Sequence, residues 1–172
     1  MVSFLAANGR YLDPTKGDGN CLFRSLSKQL CGNQEEHVRL RVLITDYVAL
    51  NLELFKGWTT DNQSVEEHID KMRKIGCWGG HLELKAAASI FQKAIYIASD
   101  SLVPGQCKWT VFPPFPDSYL PDGLTNFNVN NQRSWIELSY TGACHYDGIL
   151  PIRSDIPLKP PTLTGRTLNL QL

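Results

Sequence analysis

The chain has 172 residues, enough for one well-buried core but too few for two comfortable domains. Its 17 basic and 17 acidic side chains cancel, which argues against a nucleic-acid binder that neutralises phosphates. Apolar runs such as residues 94–98 are too short to span a bilayer, and residues 1–10 lack the features of a secretory signal. We expect a soluble monomer. A single domain should cover residues 1–152, and a proline-containing tail should follow over residues 153–172.

The cysteines are odd in number, spread along the chain and contain no Cys-x-x-Cys pair. A disulfide framework more often has an even count in a smaller chain, so we expect reduced thiols and a cytoplasmic or nuclear location. A zinc site can be drawn from Cys77, His81, Cys144 and His145, because the first two are four residues apart. Closed zinc sites usually come from tighter paired spacings. We therefore expect no metal and no cofactor.

Helical patterns dominate the first half of the chain. One helix is predicted to begin at Cys21, with Asn20 as its N-cap and a stop at Gly32. A second is predicted from about Gln34 to Asn51. Ser64 and Glu67 have the spacing of a capping box for a third, and a fourth is predicted after residues 79–80. No element is predicted within the first dozen residues.

Strand patterns follow the helices. Strands are predicted over residues 94–98, 108–112 and 135–140, with residues 145–150 as the hairpin partner of the last. Helices first and strands later favour an α+β fold with a small, mostly antiparallel sheet sandwiched by helices. The segment between Pro113 and Ser134 is rich in proline and asparagine, so we expect an exposed, mobile loop there.

Cys21 stands out among the cysteines because it follows the turn Gly17-Asp18-Gly19-Asn20 at a predicted helix start. The helix dipole favours a thiolate at that position. The glycine-rich turn can aim backbone N–H groups at one spot, where a developing oxyanion would need them. One turn can therefore supply both a nucleophile and an oxyanion hole. The alternative is that Cys21 is a small core residue.

His145 is the preferred base for such a thiolate. Residues i and i+2 of a strand share a face, so we expect Asp147 to accept the Nδ1–H of His145 and to direct Nε2 towards Cys21. The alternative is a strand histidine beside a solvated aspartate. His37 and His68 fall in helices with charged neighbours and are interpreted as surface residues, whereas His81 opens the fourth helix and is harder to dismiss.

Three segments resemble known motifs. Residues 17–26 read GDGNCLFRSL and resemble the cysteine motif of the ovarian-tumour (OTU) deubiquitinases. Residues 78–84, WGGHLEL, resemble the central Trp-Gly-Gly motif of that family. Residues 135–138, WIEL, through 145–147, HYD, resemble its closing strand and histidine motif. The three occur in the family's order and span most of the chain.

The resemblance implies a papain-like fold, ubiquitin as partner and hydrolysis of (iso)peptide bonds after the C-terminal glycine of ubiquitin, without a cofactor. It implies Cys21 as nucleophile, His145 as base and Asp147 as the residue that orients the base. Asp18 would belong to the loop that forms the oxyanion hole. The alternatives are a catalytically silent ubiquitin-binding module, a protease for a ubiquitin-like modifier and a metal-dependent hydrolase.

A ubiquitin tail ends in two glycines, which need a channel too narrow for a side chain. Residues predicted to contact the substrate are therefore Gly19, Asn20, Trp78, Gly79 and Gly80, with the Trp78 indole covering the glycines of the tail. The alternative for Trp78 is a tryptophan packed in the core.

Overall fold

The computed structural model describes residues 1–59, 63–100, 106–116, 129–130, 132–142, 144–153 and 158–163. The helices in these ranges are α1 (Val2–Ala7), α2 (Cys21–Cys31), α3 (His37–Leu50), α4 (Leu52–Phe55), α5 (Val65–Met72) and α6 (His81–Phe91). The strands are β1 (Arg10–Asp13), β2 (Ala94–Asp100), β3 (Cys107–Phe112), β4 (Trp135–Thr141) and β5 (His145–Pro151). All predicted helices and strands are present, although α3 begins three residues later than expected; α1, α4 and β1 were not predicted.

Within the described residues the strands form one sheet in the order β1-β5-β4-β2-β3. The β2–β4 pair is parallel, and the other three pairs are antiparallel. The predicted hairpin of β4 and β5 is confirmed, with Thr141 opposite His145 at its closed end. The α+β fold with a mostly antiparallel sheet flanked by helices is therefore confirmed.

Strand β1 exists because of contacts made far along the chain. It is four residues long and pairs with β5, so that Arg10 lies opposite Pro151. The Arg10 guanidinium donates two hydrogen bonds to the buried Glu137 carboxylate, at 2.7 and 2.8 Å. A strand this short has no alternating pattern to recognise, and its stability comes from those partners. Its position brings Thr15 next to β5.

The core lies between the sheet and the helices. The buried face of α2 carries Leu22, Phe23, Leu26 and Leu30, each at most 1% exposed, and it packs against β5. Each such side chain contributes about 1.5–3 kcal/mol through removal of apolar surface from water. Helix α3 packs against α2, α5 and α6. This packing fixes the start of α2 next to the start of β5.

The loop predicted between Pro113 and Ser134 falls largely on residues 117–128 and 131, outside the described residues. Its described ends contact the body: Lys85 Nζ donates to the Pro113 carbonyl at 2.7 Å, and Asn130 N donates to the Leu30 carbonyl at 2.8 Å. In the predicted tail, residues 158–163 are described, and the Lys159 carbonyl accepts a 2.8 Å hydrogen bond from Arg10. No helix in the described ranges is long and apolar enough to cross a membrane.

Candidate active site

Cys21 is the first residue of α2, as predicted, and its side chain is almost fully buried, at 5% exposed. Its thiol donates a hydrogen bond to the carbonyl oxygen of Cys144 at 3.8 Å, across to the residue before β5. The N-terminus of a helix of this length favours a thiolate over a thiol. Asn20 occupies the N-cap position, but among the described residues its side chain makes no capping bond to α2.

His145 and Asp147 lie on one face of β5 and contact each other. His145 Nε2 lies 3.0 Å from Asp147 Oδ1, which also accepts the backbone N–H of Thr15 at 2.8 Å. The expectation that Asp147 would accept the Nδ1–H is therefore wrong. The Thr15 amide holds the carboxylate oxygen on the side of the ring where Nε2 lies. This arrangement leaves Nδ1 as the nitrogen that can accept a proton from Cys21.

The structure brings the nucleophile loop and the start of β5 together. The His145 ring lies beside Gly17: a Cβ at that glycine would be 3.8 Å from Nδ1. Within the described residues no hydrogen bond joins the Cys21 thiol to the imidazole, because the thiol bonds to Cys144 instead. Proton transfer to Nδ1 therefore requires the thiol to leave that carbonyl. Such bonds often form only when substrate binds.

Asp18 stabilises the loop before the nucleophile through its carboxylate. Arg24 donates to that carboxylate at 2.7 Å, and this contact holds the pKa of Asp18 well below its usual range. Asp18 Oδ1 also accepts the backbone N–H of Asn20 at 3.1 Å. In the part of the chain that the structure describes, the N–H groups of Gly19 and Cys21 have no such acceptor. They are therefore the donors left to form an oxyanion hole.

Gly19 and Asn20 face the connection between α5 and α6. Gly19 has φ +78°, and a Cβ there would lie 2.1 Å from the carbonyl oxygen of Gly76. Asn20 Oδ1 accepts the Gly76 N–H at 2.9 Å. Only glycine combines that backbone angle with so close an approach. The predicted contact of Gly19 and Asn20 with substrate stays a prediction.

A groove of about 300 Å³ opens beside Cys21. One wall is the segment from Trp78 to Gly80, and Trp78 is 65% exposed, so the alternative of a core tryptophan is wrong. A Cβ at Gly79 would lie 2.8 Å from Leu22 Cδ2, whereas one at Gly80 would meet open space. Other lining residues include Ser99, Lys108, Thr110, Tyr140, Cys144 and Tyr146. Burial raises the pKa of the Tyr146 hydroxyl above its ordinary value.

Two histidines are more buried than expected. His37 is 9% exposed and its Nδ1 lies 3.2 Å from Arg24, while His68 Nε2 lies 2.6 Å from the buried carboxylate of Glu83. The prediction of surface histidines is wrong because partners distant in sequence cover them. His81 lines the groove and stacks on Phe112, with ring centres 5.6 Å apart.

The residues of the zinc site that the sequence allowed, Cys77, His81, Cys144 and His145, are all described. Across the described ranges no three His, Cys, Asp or Glu side chains are grouped so that they could hold a metal ion.

Sequence reasoning missed Arg41, the largest of the fully buried side chains in the described structure. It lies on α3, and one of its terminal nitrogens donates to both Asn20 Oδ1 and the Cys77 carbonyl, each at 2.8 Å. A signal was available: Arg41 falls in the apolar stripe of the helix, between Leu40 and Ile44. A charged residue at a core position of a helix usually has a specific partner.

Comparison with known proteins points to one family. The sequence matches the family described as OTU-like cysteine protease over residues 16–119, more than half of the chain. It is 29% identical over 143 residues to the OVARIAN TUMOR DOMAIN-containing deubiquitinating enzyme 9 of Arabidopsis thaliana, covering 83% of the chain and 36% of that protein. It is 30% identical over 89 residues to human OTU domain-containing protein 5, covering 52% of the chain and 15% of that protein. The chain thus spans about a third or less of these curated relatives.

Solved structures share the fold. The OTU domain of OTUD1 superposes with a TM-score of 0.70 at 26% identity, covering 86% of the chain and 90% of that domain. An OTU deubiquitinase from Wolbachia pipientis wMel, solved bound to ubiquitin, gives a TM-score of 0.60 at 16% identity, covering 84% and 97%. The family match over residues 16–119 includes Cys21 and the segment from Trp78 to Gly80. The chain therefore belongs to the OTU-like cysteine protease family.

Proposed function

We propose that this chain hydrolyses peptide and isopeptide bonds after the C-terminal glycine of ubiquitin. The observation that carries the proposal is the position of Cys21: it starts a helix, opens on a groove walled by Trp78 to Gly80, and bonds to Cys144, the residue before the His145–Asp147 pair. The name of the Arabidopsis relative, a deubiquitinating enzyme, and the ubiquitin-bound Wolbachia structure support the choice of substrate.

The proposed reaction has two halves. His145 Nδ1 takes the proton of Cys21, and the sulfur attacks the carbonyl carbon of the terminal glycine. The N–H groups of Gly19 and Cys21 hold the oxyanion until the C–N bond breaks, and His145 returns the proton to the departing amine. A water molecule, deprotonated by His145, then cleaves the thioester and releases the ubiquitin carboxylate. Asp147 keeps the ring oriented in both halves.

The groove suits a tail that ends in two glycines. Gly79 packs so closely on Leu22 that its backbone forms part of the wall, and the exposed Trp78 indole stands at the rim. Because glycine has no side chain, the backbone of the tail could lie close against the backbone of this wall. A larger side chain on the tail would collide with the wall. This is the physical reason for selectivity towards a Gly-Gly terminus.

The test is a ubiquitin probe with a thiol-reactive group at its C-terminus. We expect one covalent adduct, mapped to Cys21 by peptide mass spectrometry, and none with Cys21→Ala. Cys107→Ala is the matched control, because Cys107, on β3, is not among the residues that line the groove and should leave the reaction unchanged. Activity should persist in strong chelator and vanish with iodoacetamide. An adduct on another cysteine, or loss of turnover in chelator, would contradict the assignment.

A silent ubiquitin-binding module is the second candidate. It is favoured by one observation, the bond of the Cys21 thiol to Cys144 in place of His145. Such a module would bind ubiquitin without reacting with the probe. Probes built on ubiquitin-like modifiers separate the third candidate, a protease for one of those proteins, because only the matching probe would react.

We also propose a reducing compartment, the cytoplasm or the nucleus. All five cysteines lie among the described residues and carry free thiols, which supports the proposal. Imaging of the tagged protein would test it, and accumulation in the secretory pathway would contradict it.

A further inference from the structure

Arg41 connects separate parts of the molecule from a fully buried position in α3. One terminal nitrogen donates to the Met72 carbonyl at 2.8 Å, and the other donates to Asn20 Oδ1 and to the Cys77 carbonyl, each at 2.8 Å. The guanidinium carbon lies 4.0 Å from the centre of the Phe23 ring. Each contact depends on the planar, forked shape of the guanidinium.

The bonding of Arg41 is unusual because its hydrogen-bonded oxygens are all neutral. A buried arginine normally pairs with a carboxylate. Asp18 and Glu83 interact electrostatically with Arg41, but within the described structure their carboxylates bond to other side chains. Asp18 bonds to Arg24, and Glu83 bonds to His68. Burial lowers the pKa of Arg41 from its ordinary value. A costly buried charge is thus held by contacts to backbone and amide oxygens.

These acceptors belong to two segments, the loop before Cys21 and the connection after α5, which also approach each other closely where Gly19 faces Gly76. Asn20 precedes the nucleophile Cys21, and its Oδ1 also accepts the N–H of Gly76. Cys77 precedes Trp78, the first residue of the groove wall. The guanidinium and the Asn20 side chain therefore hydrogen-bond the loop that holds the nucleophile to the segment that leads into the groove wall.

We propose that Arg41 is a positioning residue for the hydrolysis proposed above: it clamps Asn20 to residues 76–77 and so aligns the N–H groups that hold the oxyanion. The inference rests on that proposed function. Gly19 and Cys21, whose N–H groups point to no other described acceptor, lie on either side of Asn20. Displacement of Asn20 would shift the Cys21 N–H, which belongs to the next peptide unit, and would shift the Gly19 N–H through the Gly19 backbone. Arg41 touches neither substrate nor reacting atoms.

Positioning and charge make different predictions for a simple alkylation. Iodoacetamide forms a sulfur–carbon bond as iodide leaves, so no oxyanion develops, and the rate follows the fraction of thiolate. If Arg41 acts by positioning, its loss should slow hydrolysis and leave the rate of Cys21 alkylation unchanged. If its charge stabilised the thiolate, both rates would fall, and the alkylation midpoint would move to higher pH.

The experiment compares Arg41→Lys and Arg41→Met with Arg39→Lys and Arg39→Met. Arg39 lies on the same helix with 59% of its side chain exposed, which makes it a matched control. For Arg41→Met we expect kcat on a ubiquitin substrate to fall about 10- to 100-fold, with KM within about two-fold of wild type. Arg41→Lys should retain part of kcat, because an ammonium can reach some of the same oxygens. The pH profile of Cys21 alkylation should match wild type in every variant.

Amide hydrogen exchange supplies a readout that needs no turnover. The Gly76 N–H, which donates to Asn20 Oδ1, should exchange about 10-fold faster in Arg41→Lys and at the wild-type rate in Arg39→Lys. If the wild-type protein were inactive on ubiquitin, the proposed function would be contradicted, and the exchange measurement would still test the clamp. Alkylation of the buried Cys31 would reveal an unfolded variant.

Asn20→Ala then tests the same contact from its other side. It should reproduce the drop in kcat, the unchanged alkylation and the faster exchange. Wild-type kcat in Asn20→Ala or in a folded Arg41→Met variant, wild-type exchange in Arg41→Lys, or a shifted alkylation midpoint would overturn the proposal.

Discussion

Asp147 uses one carboxylate oxygen to hold two partners, the imidazole of His145 and the backbone of Thr15. Asp147→Asn can still present an oxygen, so it should keep the ring oriented and lose only the stabilisation of imidazolium. Asp147→Ala removes both contacts and frees the ring. We expect turnover to fall in the order wild type, Asn, Ala, with a loss for Ala of about 10- to 1000-fold, or roughly 1.4 to 4 kcal/mol of barrier.

The control for this series is Asp70→Ala, since Asp70 is exposed on α5 and should leave turnover unchanged. Full activity in Asp147→Ala would show that another residue orients His145. Asn20 and the loop before Cys21 would then be the places to look.

Asp18 makes the stability of the protein depend on acidity. Because Arg24 lowers its pKa, the folded state binds a proton at Asp18 less readily than the unfolded chain. The resulting stabilisation is complete above the ordinary aspartate value of 3.8 and is lost as pH falls through the lower folded value. Asp18→Asn should cost about 1–3 kcal/mol at pH 7, and the difference from wild type should shrink below about pH 4.

Urea unfolding at several pH values would measure this dependence, with Asp70→Asn as an exposed control. A difference between Asp18→Asn and wild type that stays constant down to the most acidic sample would mean that the carboxylate charge contributes nothing.

Gly19 and Gly32 have similar positive φ angles, so comparing them distinguishes the cost of the backbone conformation from the cost of a steric clash. Gly19 has φ +78° and meets the Gly76 carbonyl, whereas Gly32, the C-cap of α2, has φ +80° with no atom within 4 Å of an added Cβ. Gly32→Ala should cost about 1 kcal/mol, the price of the left-handed conformation. Gly19→Ala carries that cost and must also displace residue 76, so we expect about 3–5 kcal/mol.

Denaturant titration and turnover should be measured together on both variants. Gly19→Ala should also lose activity, because the peptide units around Cys21 move, while Gly32→Ala should keep it. Equal destabilisation of the two variants would show that the contact with Gly76 is relieved by a small shift.

The described part of the segment after residue 153 contributes a hydrogen bond to the packing of the sheet edge. The Lys159 carbonyl bonds to Arg10, whose guanidinium joins β1 to the Glu137 side chain of β4. A chain ending at Arg153 should therefore lose about 1–2 kcal/mol of stability but keep its turnover, because the groove lies elsewhere. A chain ending at Leu163 retains the contact and is the control. Full stability after truncation at Arg153 would contradict the expectation.

Local pattern was sufficient for elements that bury one face. The spacing of Leu22, Leu26 and Leu30 predicted α2, the Ser64–Glu67 capping box is present at the start of α5, and the alternation in residues 135–140 predicted β4. The adjacency of His145 and Asp147 was also predictable, because strand geometry alone places residues i and i+2 on one face. Motif resemblance then supplied the family, which the comparisons confirm.

Tertiary structure decided what depends on partners distant in sequence. Strand β1 forms because it pairs with β5 and because its Arg10 bonds to Glu137. The amide of Thr15, which follows β1, then determines which imidazole nitrogen of His145 bonds to Asp147. Arg41 becomes a clamp only when α3 lies against the nucleophile loop and the connection after α5. The physical reason is that propensity and periodicity are properties of neighbouring residues, whereas a buried charge, a bonded ring nitrogen or a short edge strand is specified by atoms that only folding brings together.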